Sequence, residues 1–153
     1  MGLFDFLKKK SENKEQVSTN FDELKAFSIQ AINLAKSEIE ETGSFLPFGG
    51  VFTTDNNFQM VVYHDPSKTT IDHREHATII QKLIMEKYKD PRNIIFFMAW
   101  DGVAHLKTGD LDCINVKVDN KFTGYSKIYN YTYTKTDNNF QLTDSENPTV
   151  RDV

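Results

Sequence analysis

Residues 94–100 read Ile-Ile-Phe-Phe-Met-Ala-Trp, apolar at every position. A strand turns successive side chains to opposite faces, so this run presents apolar groups on both, and the chain must fold so that both are covered. No longer apolar run occurs, and this one is about a third of the roughly 20 residues a helix needs to span a bilayer. An interior strand is therefore expected here, and no transmembrane segment. Asp101-Gly102 behind it carries the composition of a tight turn leading into a second strand over 103–106.

The rest of the chain supplies what could cover that strand. Leu24, Phe27, Ala31, Ile32, Ala35 and Ile39 recur at helical spacing, opened by an Asn20/Glu23 capping-box pattern and closed by Gly43. Residues 45–52 and 58–63 flank Asp55-Asn56-Asn57 and predict an antiparallel hairpin, with Pro47 placing the first strand at an edge or a bulge. Asp72 with Glu75 opens a second helix along Ala77, Ile80, Leu83 and Ile84 that ends before Pro91. Strands follow over 111–118 and 122–135, and Asp137-Asn138-Asn139 turns the last into 140–142.

An order of helix, hairpin, helix and strands predicts an α+β fold, with a single mainly antiparallel sheet of five to six strands and two helices. It resembles the profilin-like and roadblock-like arrangement, a topological analogy that brings no function with it. The analogy would leave the strand at Ile94 near an edge, unless a second copy of the chain or residues 4–7 cover it. Residues 1–18 are expected as a flexible segment, 19–142 as one domain and 143–153 as a flexible tail, since 11–18 and the end are polar and aperiodic.

Charge and cysteine usage bound the partners. Eighteen Lys and Arg against 22 Asp and Glu leave a formal charge of −4, which gives no basic surface for nucleic acid. Cys113 is the only cysteine, so no disulfide forms within the chain and a reducing cytoplasm suits it. In Met1-Gly2-Leu3-Phe4-Asp5-Phe6-Leu7-Lys8-Lys9-Lys10 the basic residues follow the apolar ones, the reverse of a secretion signal. A short amphipathic surface anchor is an alternative reading of this segment.

Several groups could carry chemistry. His73 and His76 lie three apart on the first turn of the second helix, close enough to share a metal with His64, Asp65 or Asp72. The plainer reading is that Asp72 caps the helix, Glu75 completes the box and both histidines are solvated. Cys113 sits mid-strand as a small apolar filler, with no local nucleophile motif. Gly49-Gly50 lacks the context of a phosphate cradle and reads as a backbone bend. Asp110 and Asp112 project to one side of a strand and are expected to be solvated. No catalytic residue, metal site or cofactor is assigned.

The most informative feature is the row Tyr125, Tyr129, Tyr131 and Tyr133 on one side of one strand. It is either a binding surface of rigid amphipathic groups or the half of the strand that packs beneath a helix. As a surface, together with Glu38, Glu40 and Glu41, it would select a basic protein partner.

The segments Ser44-Phe45-Leu46-Pro47-Phe48-Gly49-Gly50-Val51 and Asp112-Cys113-Ile114-Asn115-Val116-Lys117-Val118, with the tyrosine strand, resemble a group of small uncharacterised bacterial proteins. These share a Phe-x-Pro-Phe-Gly strand and an aromatic last strand. The first ten residues are similar to the starts of proteins encoded beside toxins, which implies an immunity-type inhibitor of a cognate toxin. The expectation is thus a protein-binding module without enzymatic activity. Its alternatives are a small-ligand sensor with a pocket near Phe48, Trp100 and Tyr129, and a metal-dependent hydrolase using His73 and His76.

Overall fold

The computed structural model describes residues 21–55, 57–137, 139–143 and 149–152. The expected Asn20 cap and the segment 1–18 lie outside them. Helix α1 spans Phe21–Thr42 and buries Phe27, Ala31, Ile32, Ala35 and Ile39, the stripe its spacing predicts. Gly43 ends it with a φ of 90°, a left-handed value that glycine adopts without a Cβ clash, and its N–H donates to the Ile39 carbonyl at 2.8 Å.

The hairpin consists of β1 (Phe48–Thr53) and β2 (Phe58–Val61). Pro47 falls just before β1 rather than inside it, because a residue without an N–H cannot join the ladder. Helix α2 spans His73–Lys87, and its Asp72 cap accepts from the N–H groups of Arg74 and Glu75 at 2.8 and 3.2 Å. Glu75 does not complete the box; it meets Lys68 at 2.9 Å. At the other end Lys121 Nζ donates to the Tyr88 and Asp90 carbonyls, a cation where the helix dipole favours one.

The remaining strands are β3 (Asn93–Leu106), β4 (Gly109–Asn120), β5 (Ser126–Thr136), β6 (Asn139–Leu142) and β7 (Thr149–Asp152). All pair antiparallel in the order β2-β1-β3-β4-β5, and β6 and β7 share the outer edge of β5. The fold is the α+β class expected, one antiparallel sheet with two helices. The described residues add a seventh strand in the segment read as a loose tail, where Val150 pairs with Tyr129 and packs on the core.

The Asp101-Gly102 turn is a correction. Both residues sit inside β3, paired with Ile114 and Cys113, and the chain reverses at Lys107-Thr108 between Leu106 and Gly109. Reversing there lets the ladder run unbroken from Leu106↔Gly109 to Ile95↔Asn120. Gly102 answers to space: a Cβ would stand 2.5 Å from the Asn115 amide nitrogen.

The helices lie on opposite faces of the sheet. Ile95, Phe97 and Ala99 of β3 join the core under α1, whereas Phe96 joins Val51, Val61, Ile80 and Ile84 under α2. This accounts for the doubly apolar run. Strand β3 is interior, between β1 and β4, which departs from the edge position of the analogy, and α2 covers its second face. Gly49-Gly50 is a contact, not a bend. A Cβ on Gly49 would lie 2.6 Å from Ile84 Cδ1, and one on Gly50 would strike the Phe58 and Phe97 rings.

Candidate functional site

The tyrosine row is the first candidate to place. Tyr129, Tyr131 and Tyr133 pair with Val116, Ile114 and Asp112 across the β4–β5 ladder, on the face that α1 covers, and are 0%, 1% and 4% exposed. They are core and cannot form a contact surface, a correction of the binding reading. The physical reason is that the alternation of β5 matches the face on which α1 lies. Tyr125 precedes β5 and is exposed on the loop.

Glu38, Glu40 and Glu41 are exposed on the last turns of α1. Glu40 faces Lys36 at 3.9 Å, and among the described residues Glu38 and Glu41 form no ion pair. Three acids disfavour this helix end, and its last turn holds no basic residue. Lys135 of β5 supplies a cation instead, donating from Nζ to the Gly43 carbonyl at 2.8 Å.

Beside Glu38 opens a groove of about 450 Å³. One wall is the α1 strip Leu34, Ser37, Glu38 and Thr42, spaced as one helical face. The floor is the Ser44–Phe48 segment, and the far wall is Met60, Val62 and Tyr63 with His76 of α2. Because α1 lies chiefly over β3, β4, β5 and β6 and meets the hairpin through Phe27 and Phe52, at 6.1 Å between ring centroids, it leaves the Met60–Val62 end of the hairpin uncovered, with these two side chains 42% and 62% exposed. The sheet ends there, since β2 is its edge strand.

His76 is the polar group in this apolar wall. It is 5% exposed, its ring stands edge-on to Tyr63 at 5.6 Å between centroids, and the Pro47 carbonyl favours its charged form against the effect of burial. Burial is the largest influence and lowers its pKa from the ordinary 6.5, which keeps the ring neutral. The expected solvated His76 is thus corrected, while His73 is exposed. Among the described residues no group of three His, Cys, Asp or Glu side chains is arranged to hold a metal.

A smaller cavity of about 260 Å³ lies on the opposite face, under Met85 and Tyr88 and beside Met98 and Lys117. Cys113 is buried, and burial raises its thiol pKa, as expected of a filler and the reverse of an activated nucleophile. Asp110 pairs with His105 at 2.9 Å at an exposed hairpin end. Asp101, read only as a turn residue, accepts the Tyr133 hydroxyl at 3.2 Å, and burial raises its pKa.

Of the pocket expected near Phe48, Trp100 and Tyr129, only Phe48 lines the groove. Tyr129 is core, and Trp100 pairs with Asn115 on the far face of the sheet. Sequence spacing could not bring 34–48, 60–63 and 76 together, since the crossover through the hairpin does so. No helix of the described residues is long and apolar enough to cross a membrane. Comparison with known proteins gives no matching protein-family model, no matching curated protein and no matching solved structure.

Proposed function

We propose that this chain is a protein-binding module whose groove takes an apolar segment of a partner flanked by basic residues. The observation that carries the reading is the placement of exposed Met60 and Val62 opposite Glu38 across one open groove. Covering those two side chains is worth on the order of 1 kcal/mol each, and the acidic rim adds selection for a basic flank and a salt-sensitive association rate. An edge strand beside the groove gives an extended segment backbone to pair with. In its most specific form the partner is a basic toxin and the chain its immunity-type inhibitor, a reading supported by the formal charge of −4.

The test is selection of a displayed random-peptide library on the full chain, with Val62→Asp and Glu38→Lys as controls. Binders with an apolar cluster beside Lys or Arg, lost on Val62→Asp and weakened on Glu38→Lys, are expected. Binders indifferent to both substitutions would overturn the proposal.

A second reading, a small-ligand sensor, draws on the groove volume, which falls among those of small-molecule sites, and on the buried imidazole at its wall. Thermal stabilisation by a metabolite that Val62→Asp abolishes would favour it over a protein partner.

A further inference from the structure

We infer that the groove has an occupant in its own chain: residues 3–10, with Leu3, Phe4, Phe6 and Leu7 against Met60 and Val62, and Lys8, Lys9 and Lys10 against Glu38 and Glu41. The inference rests on the proposed reading of the groove and names a ligand that fits it. Four apolar side chains directly followed by three lysines are the composition that an apolar groove with an acidic rim selects. Glu38 lines the groove and Glu41 stands one turn further along the same helix. Against three lysines these two charges have the complementary sign.

The connection is long enough. Leu7 and Phe21 are fourteen positions apart in the sequence, which spans up to about 46–50 Å when extended. From Phe21 to Leu34, thirteen residues of helix cover about 20 Å, and the far end at Thr42 is about 32 Å away. Residues 3–10 can therefore reach the groove along the whole of its α1 wall, Leu34 to Thr42. A tether of this length holds them at an effective concentration on the order of millimolar, so an external partner has to displace them. The segment would then act as a built-in competitor that sets the affinity threshold for partners.

The chain carries its own reporters. Its four methionines are Met1, Met60, Met85 and Met98; Met60 lines the groove, whereas Met85 and Met98 line the cavity on the opposite face. The experiment compares ¹³C-methyl-methionine spectra of the full chain with those of a full-length Phe4→Ser/Phe6→Ser variant, no partner present. A second variant reverses Lys8, Lys9 and Lys10 to Glu.

The expected result is a shift of the Met60 methyl in both variants, with Met85 and Met98 unmoved and the wild-type spectrum independent of protein concentration. Peptides from the library should also bind the variants several-fold more tightly than the wild type. An unmoved Met60, movement of Met85 and Met98 instead, or a Met60 shift that grows with concentration would overturn the inference. The last would point to a second copy of the chain. If Met60 stays unmoved while library peptides still bind the groove, the inference fails and the proposed function stands; if no peptide binds even the variants, the proposed function fails.

Discussion

The hydroxyls of Ser28 and Tyr131 meet at 2.5 Å inside the protein and tie α1 to β5. Ser28 also donates to the Lys25 carbonyl at 2.6 Å, which commits its single proton and makes Tyr131 the donor between the two. Burial raises the Tyr131 phenol above its ordinary pKa, so it stays protonated. Ser28→Ala leaves a buried donor without a partner and should cost roughly 1–3 kcal/mol. Tyr131→Phe removes the donor and leaves Ser28 its carbonyl bond, costing about 1 kcal/mol. Urea unfolding of both variants checks the order, and a reversed order would contradict the donor assignment.

Gly50→Ala is expected to destabilise although it adds one methyl group. The new Cβ would enter the space between Phe58 and Phe97, whose rings stack at 5.9 Å between centroids. Overpacking of this kind costs about 1–3 kcal/mol. A lowered urea midpoint with an unchanged slope is the expected result. An unchanged midpoint would mean that the stacked pair gives way freely.

Stability should fall as the pH drops below about 6.5, and His76 should account for a measurable share of the fall. Its folded pKa is depressed below the ordinary 6.5, with burial as the main cause. The unfolded chain therefore takes up the proton first. Stability is complete above 6.5, declines as the pH falls towards the folded pKa, and levels off below it. The groups facing the ring are Tyr63 and the Pro47 carbonyl, with the charge of His73 acting in the same direction as burial. His76→Gln, which keeps a polar side chain but cannot take up the proton, should flatten this part of the profile in melts between pH 7.5 and 5. An unchanged slope would mean that His76 is not the group responsible.

Local pattern shows much of the fold and little of the site. The α1 stripe, the Asp72 cap and the interior strand at Ile94 follow from periodicity and from side chains acting within a few residues of themselves. Ser28 belongs to the same stripe by its spacing from Leu24 and Ile32, although an apolar pattern does not count a serine. The turn at Lys107-Thr108 could not be found this way: Asp101-Gly102 is the stronger local signal, and only the length of the β3–β4 ladder overrules it. The tyrosines were ambiguous because an alternating strand states that one face is buried, not which element buries it. The groove arises where α1 passes from the sheet centre past the uncovered Met60–Val62 end of the hairpin, a relationship of whole elements.

The Met60–Val62 side of the sheet is the proposed binding face. Titration of the ¹³C-methyl-methionine-labelled full chain with the tightest peptide from the library selection, repeated on Val62→Asp, locates the contact. That substitution replaces an exposed side chain and should change stability by less than about 0.5 kcal/mol. A saturable shift of the Met60 methyl, unmoved Met85 and Met98, and at least tenfold weaker binding by Val62→Asp are expected. Shifts confined to Met85 and Met98, with Val62→Asp binding as the wild type does, would place the interaction on the opposite face and contradict the proposal.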